Sequence, residues 1–169
     1  FEAYELRDED KNYFLGKSVL KAVRNVNTII SKNLKDINVN DQKKIDQILL
    51  NLDGTDNKKK LGANALLAAS LAVAKAAAAS NKKELYKNLG KKFLLPKPLV
   101  NIINGGAHAD NNLRIQEFMI RPDSAKNFMD AMEKCFLVIQ NLKKILKSKN
   151  SLTNVGDEGG FAPSIDSNE

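Results

Sequence analysis

Two short motifs of this chain contain side chains that could do chemistry. One spans residues 101–120 and the other residues 155–163, and each lies at the edge of a short apolar run. Together they contain a histidine, a glutamine and several carboxylates, and each motif contains a glycine pair. Enzymes of mixed helices and strands carry catalytic residues at the ends of their strands. The candidate residues are His108, Gln116, Glu117, Asp157 and Glu158.

The acidic side chains indicate acid–base chemistry. Two carboxylates that face one pocket repel each other, so one can hold a proton while the other is ionised. Such a pair, drawn from Glu117, Asp157 and Glu158, could protonate a departing hydroxyl group. Gly105 and Gly106 would form a flexible hinge that lets His108 swing over a ligand.

Each candidate also has an ordinary structural explanation. A histidine in a loop is often only a surface residue, and a glutamine–glutamate pair before a strand is usually an edge feature. The acidic and glycine residues at 157–160 could form a simple turn. A zinc site is disfavoured because Cys135, the one cysteine, lies on a predicted core face. Neither a Walker loop nor a dinucleotide fingerprint occurs.

The strands around the first motif predict that its candidates share one edge of a sheet. Residues 99–103 and 118–120 are apolar runs of strand length. The connection between them has no room for a helix, so the two strands are expected to be antiparallel neighbours. His108, which follows the first strand, and Glu117, which begins the second, should therefore lie close together.

A long helix is predicted to connect this hairpin to the second motif. The apolar spacing favours a helix over residues 125–149, with a cap at 123–124 and lysines crowded at its C-terminal end. A third strand at 153–155, if parallel to the first, would bring Asp157 and Glu158 to the same edge. The predicted inner face of the helix consists of Phe128, Met132, Cys135, Phe136, Ile139, Leu142 and Leu146.

The first half of the chain reads as helical. Apolar residues recur at helical spacing over 19–30, and a second helix is capped by Asn40 or Asp41 and ends at 53–55. The alanine-rich run 62–80 favours a helix packed on several sides. Membrane insertion is not expected there, because Asn64, Ser70 and Lys75 interrupt the run and alanine is weakly hydrophobic.

Composition bounds the class of protein. The chain has 169 residues, of which 43% are hydrophobic and 28% charged, so it can form a sizeable core. A single cysteine excludes an internal disulfide framework and suggests a reducing compartment. The net charge of +7 permits nucleic-acid binding, but the lysines are scattered and few aromatic residues are available to stack on bases. Pro96 and Pro98 mark the expected domain boundary, giving domains 1–95 and 96–169.

Six motifs together resemble those of the enolase family. Each would be weak alone, but all occur in the family's order and at its spacing, and they cover essentially the whole chain, which looks most like bacterial members. The motifs are Glu5-Leu-Arg-Asp8, Leu52-Asp-Gly-Thr-Asp56, Leu61-Gly-Ala-Asn-Ala65, Asn104-Gly-Gly-Ala-His-Ala109, Gln116-Glu-Phe-Met-Ile120 and Gly156-Asp-Glu-Gly-Gly-Phe-Ala-Pro163.

The resemblance implies a fold class and an activity. The fold class is α/β, with the C-terminal part of a mostly helical α+β domain over residues 1–95. The first strands and helix of a TIM-like (β/α)8 barrel, with an antiparallel second strand, would follow over 96–169. The implied activity is that of a carbon–oxygen hydro-lyase, phosphopyruvate hydratase. This glycolytic enzyme reversibly dehydrates 2-phosphoglycerate to phosphoenolpyruvate.

The resemblance also implies a role for each candidate. Glu158 matches the proton donor that helps the hydroxyl group leave, and Glu117 matches the carboxylate that works beside it. His108 and Gln116 match substrate-contacting positions, with His108 on a mobile loop. Asp157 would shape the turn that carries Glu158.

Other parts of the family's site are expected outside these residues. The family uses Mg²⁺, and its carboxylate ligands and base lysine are expected beyond Glu169, while a mobile serine-containing loop would precede Phe1. We therefore expect a fragment that is inactive alone, and a cytoplasmic homodimer when complete. A secondary cell-surface or secreted pool and association with RNA-degradation machinery are further expectations. The alternative reading is a non-enzymatic fragment that binds RNA or protein.

Overall fold

The elements are described for residues 2–156 and 158–165 by a computed structural model. The chain divides into unit 1, Phe1–Phe93, and unit 2, Leu94–Glu169. Among the described residues of unit 1, the regular structure is helical. Its α-helices are α1 (Leu20–Asn25), α2 (Ser31–Leu34), α3 (Gln42–Asp53), α4 (Ala63–Ser80) and α5 (Leu85–Leu89), and a short 3₁₀ turn at Phe14–Gly16 precedes them.

The helix expected over residues 19–30 is present but interrupted. α1 passes into a π-helical turn, Val26–Ile30, which leads directly into α2. The N-terminus of α1 is capped from a distance by the Asp8 carboxylate, which accepts hydrogen bonds from the N–H groups of Leu20 (2.7 Å) and Lys21 (2.8 Å). A carboxylate at this position satisfies orphan N–H groups and complements the helix dipole.

The predicted ends of α3 are confirmed. The Asp41 side chain accepts a hydrogen bond from the N–H of Lys44 (3.2 Å), which makes Asp41 the N-cap. Gly54 follows the helix with φ 67°, the left-handed conformation that glycine adopts most easily. Ile45 and Leu49 turn inward from α3 and join the core of unit 1.

The carboxylate of Asp53, at the end of α3, is buried, with 1% of the residue exposed. It accepts hydrogen bonds from the Leu61 N–H (2.7 Å), the Thr55 N–H (3.0 Å) and the Thr55 hydroxyl group. Burial alone would raise the pKa of Asp53, but these hydrogen bonds and the charge of Lys58 together hold it below the usual range. Through these hydrogen bonds, Asp53 links the end of α3 to the residues just before α4.

Replacing Asp53 with Ala is expected to destabilise unit 1 by about 3 kcal/mol at neutral pH, because buried donors lose their acceptor. Urea titration followed by tyrosine fluorescence would measure this, since Tyr4, Tyr13 and Tyr86 all lie in unit 1 and the chain has no tryptophan. The pKa of Asp53 is lower in the folded protein than in the unfolded chain. The stabilisation is therefore present above about pH 4 and is lost as the pH falls through the pKa of the folded state. Asp56→Ala, at an exposed carboxylate, is the control; equal losses for both variants would contradict the prediction.

Helix α4 is long and apolar enough to cross a membrane by length and composition alone. In unit 1 it packs against α3 and α1 as part of the core. As predicted, α4 is packed on several sides, since α5 and the π-helical turn also contact it. One stripe of the helix stays open in unit 1, where Leu67 and Leu71 are 60% and 50% exposed. The buried residues of α4 are Ala65, Leu66, Ala69, Ala74, Ala77 and Ala78.

Unit 2 contains the predicted hairpin. Strand β1 (Val100–Asn104) pairs antiparallel with β2 (Glu117–Ile120), and a 3₁₀ turn at Gly106–His108 follows β1. The register places Val100 opposite Ile120 and Asn104 opposite Glu117. The end of β1 and the start of β2 therefore lie side by side, which confirms the antiparallel prediction.

Helix α6 (Phe128–Ser148) begins later than predicted. Its N-cap is Asn127, whose side chain accepts a hydrogen bond from the Asp130 N–H (2.9 Å), and not a residue at 123–124. Asn is among the strongest N-cap residues, so it sets the start. Cys135 and Leu146 are buried as expected, but Phe136 is 58% exposed, because the described part of unit 2 covers only a narrow stripe of the helix.

The predicted third strand at 153–155 is not formed. Instead, Val155 makes a single antiparallel bridge with Phe161, and Phe161 makes a single parallel bridge with Ile103. The chain turns back between Val155 and Phe161, so the residue after the turn, and not the one before it, pairs with β1. The parallel direction was predicted, but for the wrong residues.

Candidate active site

The hairpin places two of the candidates by its register. Asn104, the last residue of β1, lies opposite Glu117, the first residue of β2. The Gly105 N–H donates to the Gln116 carbonyl group (3.0 Å), which extends the pairing by one step beyond the strands. His108 lies two residues after Gly106, in the 3₁₀ turn, and is therefore at the same edge of the hairpin as Glu117.

The glycine pair is held in place by close packing. A Cβ on Gly105 would overlap the Ile115 carbonyl oxygen and the Leu113 side chain. Gly106 has φ 52°, and its N–H donates to the Leu113 carbonyl group (2.7 Å). In this structure the glycines permit a close approach of two chain segments; a hinge motion of His108 stays a prediction.

Three ionisable side chains converge at this edge. Nδ1 of His108 lies 3.5 Å from Oε1 of Glu117 and 3.5 Å from Oε2 of Glu158. The side chains are 18%, 30% and 49% exposed respectively, so the histidine is the most enclosed and Glu158 the most accessible. The structure thus brings together His108, Glu117 and Glu158, whereas Asp157 lies outside the described residues.

Gln116 fixes the other side of the imidazole ring. Its Nε2 lies 2.5 Å from Nε2 of His108. An amide nitrogen can only donate, so in this orientation Nε2 of His108 is the acceptor and a neutral ring carries its proton on Nδ1. That proton faces the two carboxylates. Nδ1 is buried and has no hydrogen-bond partner in the described part of the chain, which leaves it available for a small bound group.

These residues do not fit a Mg²⁺ site. The ligand atoms of His108, Glu117 and Glu158 all lie within 4.8 Å of one another, but the set combines one nitrogen with two carboxylates. Mg²⁺ prefers near-octahedral oxygen coordination. A mixed set of this kind, with the imidazole nearest to both acids, suits proton transfer between side chains and a substrate better.

Sequence reasoning did not identify an asparagine network beneath this cluster. Asn104 is fully buried, and its Nδ2 donates to the Gly160 carbonyl group (2.6 Å). Its Oδ1 accepts from Nδ2 of Asn101 (2.5 Å), and its backbone carbonyl group accepts from Nδ2 of Asn111 (2.9 Å). The available signal was the presence of two asparagines, Asn101 and Asn104, in a strand that is otherwise apolar, since a buried amide must find partners.

Comparison with known proteins shows two matching domain families along the chain. Residues 1–89 match the family model of the enolase N-terminal domain, and residues 92–169 match that of the enolase C-terminal TIM barrel domain. The chain is 58% identical over 171 residues to a curated enolase of Pelagibacter ubique (strain HTCC1062). The alignment covers 100% of this chain, and the chain spans 41% of the length of that relative.

The two domain matches bear directly on the fold. They confirm the α/β fold class, in which the helical unit comes from the N-terminal domain and the hairpin and α6 from the barrel domain. The alignment with the Pelagibacter ubique enolase covers the whole of this chain. This chain belongs to the enolase family.

Proposed function

We propose that the protein to which this chain belongs is an enolase, a hydro-lyase that reversibly dehydrates 2-phosphoglycerate to phosphoenolpyruvate in glycolysis. The observation that carries the proposal is the convergence of Glu117 and Glu158 on Nδ1 of His108, each at 3.5 Å. Family membership supports the reaction class. Within that reaction, these residues form the acid and substrate-contacting part of the site.

Glu158 is proposed as the general acid. When the C3–O bond of 2-phosphoglycerate breaks, the departing hydroxide takes the proton of the Glu158 carboxyl group and leaves as water. Glu158 is 49% exposed on its side chain, so a substrate can reach it. The C2 proton goes to a base that we assign to residues outside this chain.

Glu117 and His108 lie beside the proposed acid. The ligand oxygens of Glu117 and Glu158 and the ligand nitrogen of His108 all lie within 4.8 Å of one another. His108, held by Gln116 at 2.5 Å, presents Nδ1 to both acids and lines the space where the substrate would lie. We therefore propose Glu158 and Glu117 as catalytic residues, and His108 and Gln116 as substrate-contacting residues.

Membership of the family implies a metal cofactor, which we propose to be Mg²⁺. It would stabilise negative charge that develops on the substrate. Since the cluster around His108 does not suit Mg²⁺, we propose that the ligands come from other residues of the complete protein. By the same resemblance we propose a cytoplasmic homodimer. Association with RNA-degradation machinery, with which the net charge of +7 is compatible, is a secondary proposal by the same resemblance.

The activity is tested by restoring the remainder of the barrel. We expect the 169-residue chain alone to show no turnover of 2-phosphoglycerate, because each missing member of a catalytic set costs orders of magnitude in rate. A chimaera in which this chain replaces the aligned segment of the Pelagibacter ubique enolase is expected to be active. Phosphoenolpyruvate formation is followed by its ultraviolet absorbance.

Two outcomes would contradict the proposal. One is Mg²⁺-dependent turnover by the isolated chain, which would place a complete site within it. The other is a folded chimaera without activity while the unmodified Pelagibacter ubique protein, assayed in parallel, is active. That result would show that the cluster around His108 does not supply the acid.

A further inference from the structure

Asn104 contacts every segment that carries a candidate residue. It lies opposite Glu117 in the register of β1 and β2. Its backbone carbonyl group accepts from Nδ2 of Asn111, which also donates to the Pro163 carbonyl group (3.1 Å). Its side chain reaches the Gly160 carbonyl group. One residue thus joins the hairpin, the loop with His108 and the segment with Glu158.

The contact with Gly160 sets the turn that presents Glu158. The Gly160 carbonyl oxygen accepts from both Nδ2 of Asn104 (2.6 Å) and the N–H of Gly156 (2.8 Å). The N–H of Gly159 in turn donates to the Gly156 carbonyl group (3.1 Å). These bonds close the chain on either side of Glu158, so the Asn104 amide holds the base of the turn and Glu158 projects from it.

The glycines at this turn leave room for the asparagine. A Cβ on Gly156 would come within 2.8 Å of Nδ2 of Asn104 and within 2.7 Å of the His108 carbonyl oxygen. A Cβ on Gly160 would come within 2.9 Å of the same Nδ2. Both glycines are needed because the turn packs directly on Asn104 and on the backbone of the His108 loop.

We propose that Asn104 is a positioning residue that places the Glu158 carboxylate 3.5 Å from Nδ1 of His108. A buried amide with both of its polar ends engaged has one orientation, since any rotation leaves a donor or acceptor unpaired. The acidic role of Glu158 rests on the proposed function, whereas its distance from His108 does not. Asn104 itself touches no substrate and acts through Gly160.

The single histidine gives a direct readout in the 169-residue chain. The ¹⁵N and ¹H imidazole signals can belong only to His108, and they respond to the carboxylate beside Nδ1. Glu158→Gln is expected to shift these signals in the parent chain. In an Asn104→Ala or Asn104→Asp background, most of that shift should disappear, because Glu158 has already left its place. Asp at position 104 keeps the shape but cannot donate to the Gly160 carbonyl group.

Asn127→Ala is the matched control. It removes the N-cap of α6 in the same unit without touching the turn. The Glu158→Gln shift should remain at full size in that background. A full-size shift in the Asn104 variants would overturn the proposal, and so would unfolding of unit 2 in both Asn104 variants, which would make Asn104 a purely structural residue.

The chimaera separates this inference from the proposed function. If the parent chimaera is active, Asn104→Ala is expected to lower kcat by about 10²-fold, with a smaller change in KM, because a misplaced acid slows the chemical step. In a Glu158→Gln background the same change should cost nothing further. Additive losses would overturn the positioning role. An inactive parent chimaera would contradict the proposed function, while the imidazole signals would still decide the placement of Glu158.

Discussion

Replacing Glu158 with Gln in the chimaera is expected to lower kcat by about 10²- to 10⁴-fold, the usual contribution of a general acid. Glutamine keeps the size of the side chain but has no acidic proton to give to the departing hydroxide. KM should change much less, because His108 and Gln116 still line the site. Steady-state measurement of phosphoenolpyruvate formation over a range of 2-phosphoglycerate concentrations separates the two constants.

Glu133→Gln is the control for this experiment. Glu133 is exposed on α6, and its replacement makes the same chemical change away from the cluster. It should leave kcat unaltered. If Glu158→Gln retained more than about a tenth of the parent kcat, the loss would fall below the range for general acid catalysis, and another residue would have to protonate the leaving group.

The second large effect is expected in unit 1, where Gly62→Ala should destabilise the fold by about 3 kcal/mol through strain and overpacking. Gly62 has φ 95° immediately before α4, a conformation that side chains rarely adopt. A Cβ there would lie 2.5 Å from Cβ of Leu6 and 2.6 Å from Oδ1 of Asn64. Asn64 could not yield, because it also pairs with the backbone of Leu6 (3.1 Å for each bond).

Gly54→Ala tests whether crowding, and not only backbone conformation, causes this loss. Gly54 also has positive φ, at 67°, but a Cβ there would meet nothing closer than the Asn51 carbonyl oxygen at 3.6 Å. Its replacement should cost about 1 kcal/mol. Tyrosine fluorescence during urea unfolding reports on unit 1 for both variants. Equal losses would mean that the packing of Leu6 against Gly62 contributes nothing.

Local sequence patterns were sufficient to predict those structural features that local interactions determine. The Asp41 cap and Gly54 stop of α3 lie within a few residues of the helix they bound. The antiparallel pairing of β1 and β2 followed from the length of their connection, since only neighbouring antiparallel strands can be joined without a crossover. The meeting of His108 with Glu117 followed from that pairing.

Distant contacts explain where sequence reasoning failed. The start of α1 is capped by Asp8, which is distant in the sequence. The residues next to the helix therefore do not predict this cap. The third strand was assigned to residues before the turn because Val155 is apolar, whereas Phe161 makes the parallel bridge with β1. Part of the predicted inner face of α6 is exposed, at Phe128, Met132 and Phe136, because periodicity reveals which face is apolar and not what covers it.

The sequence by itself determined the residue types of the site, the hairpin that carries half of them, and the family to which the motifs belong. These are encoded in short stretches, where spacing and turn chemistry dictate the local path of the chain. Only the tertiary structure decided that Glu158 lies as close to Nδ1 of His108 as Glu117 does. That distance depends on the hydrogen bond from the Asn104 amide to the Gly160 carbonyl group. The two residues lie 56 positions apart in the sequence, so this contact exists only once the chain has folded.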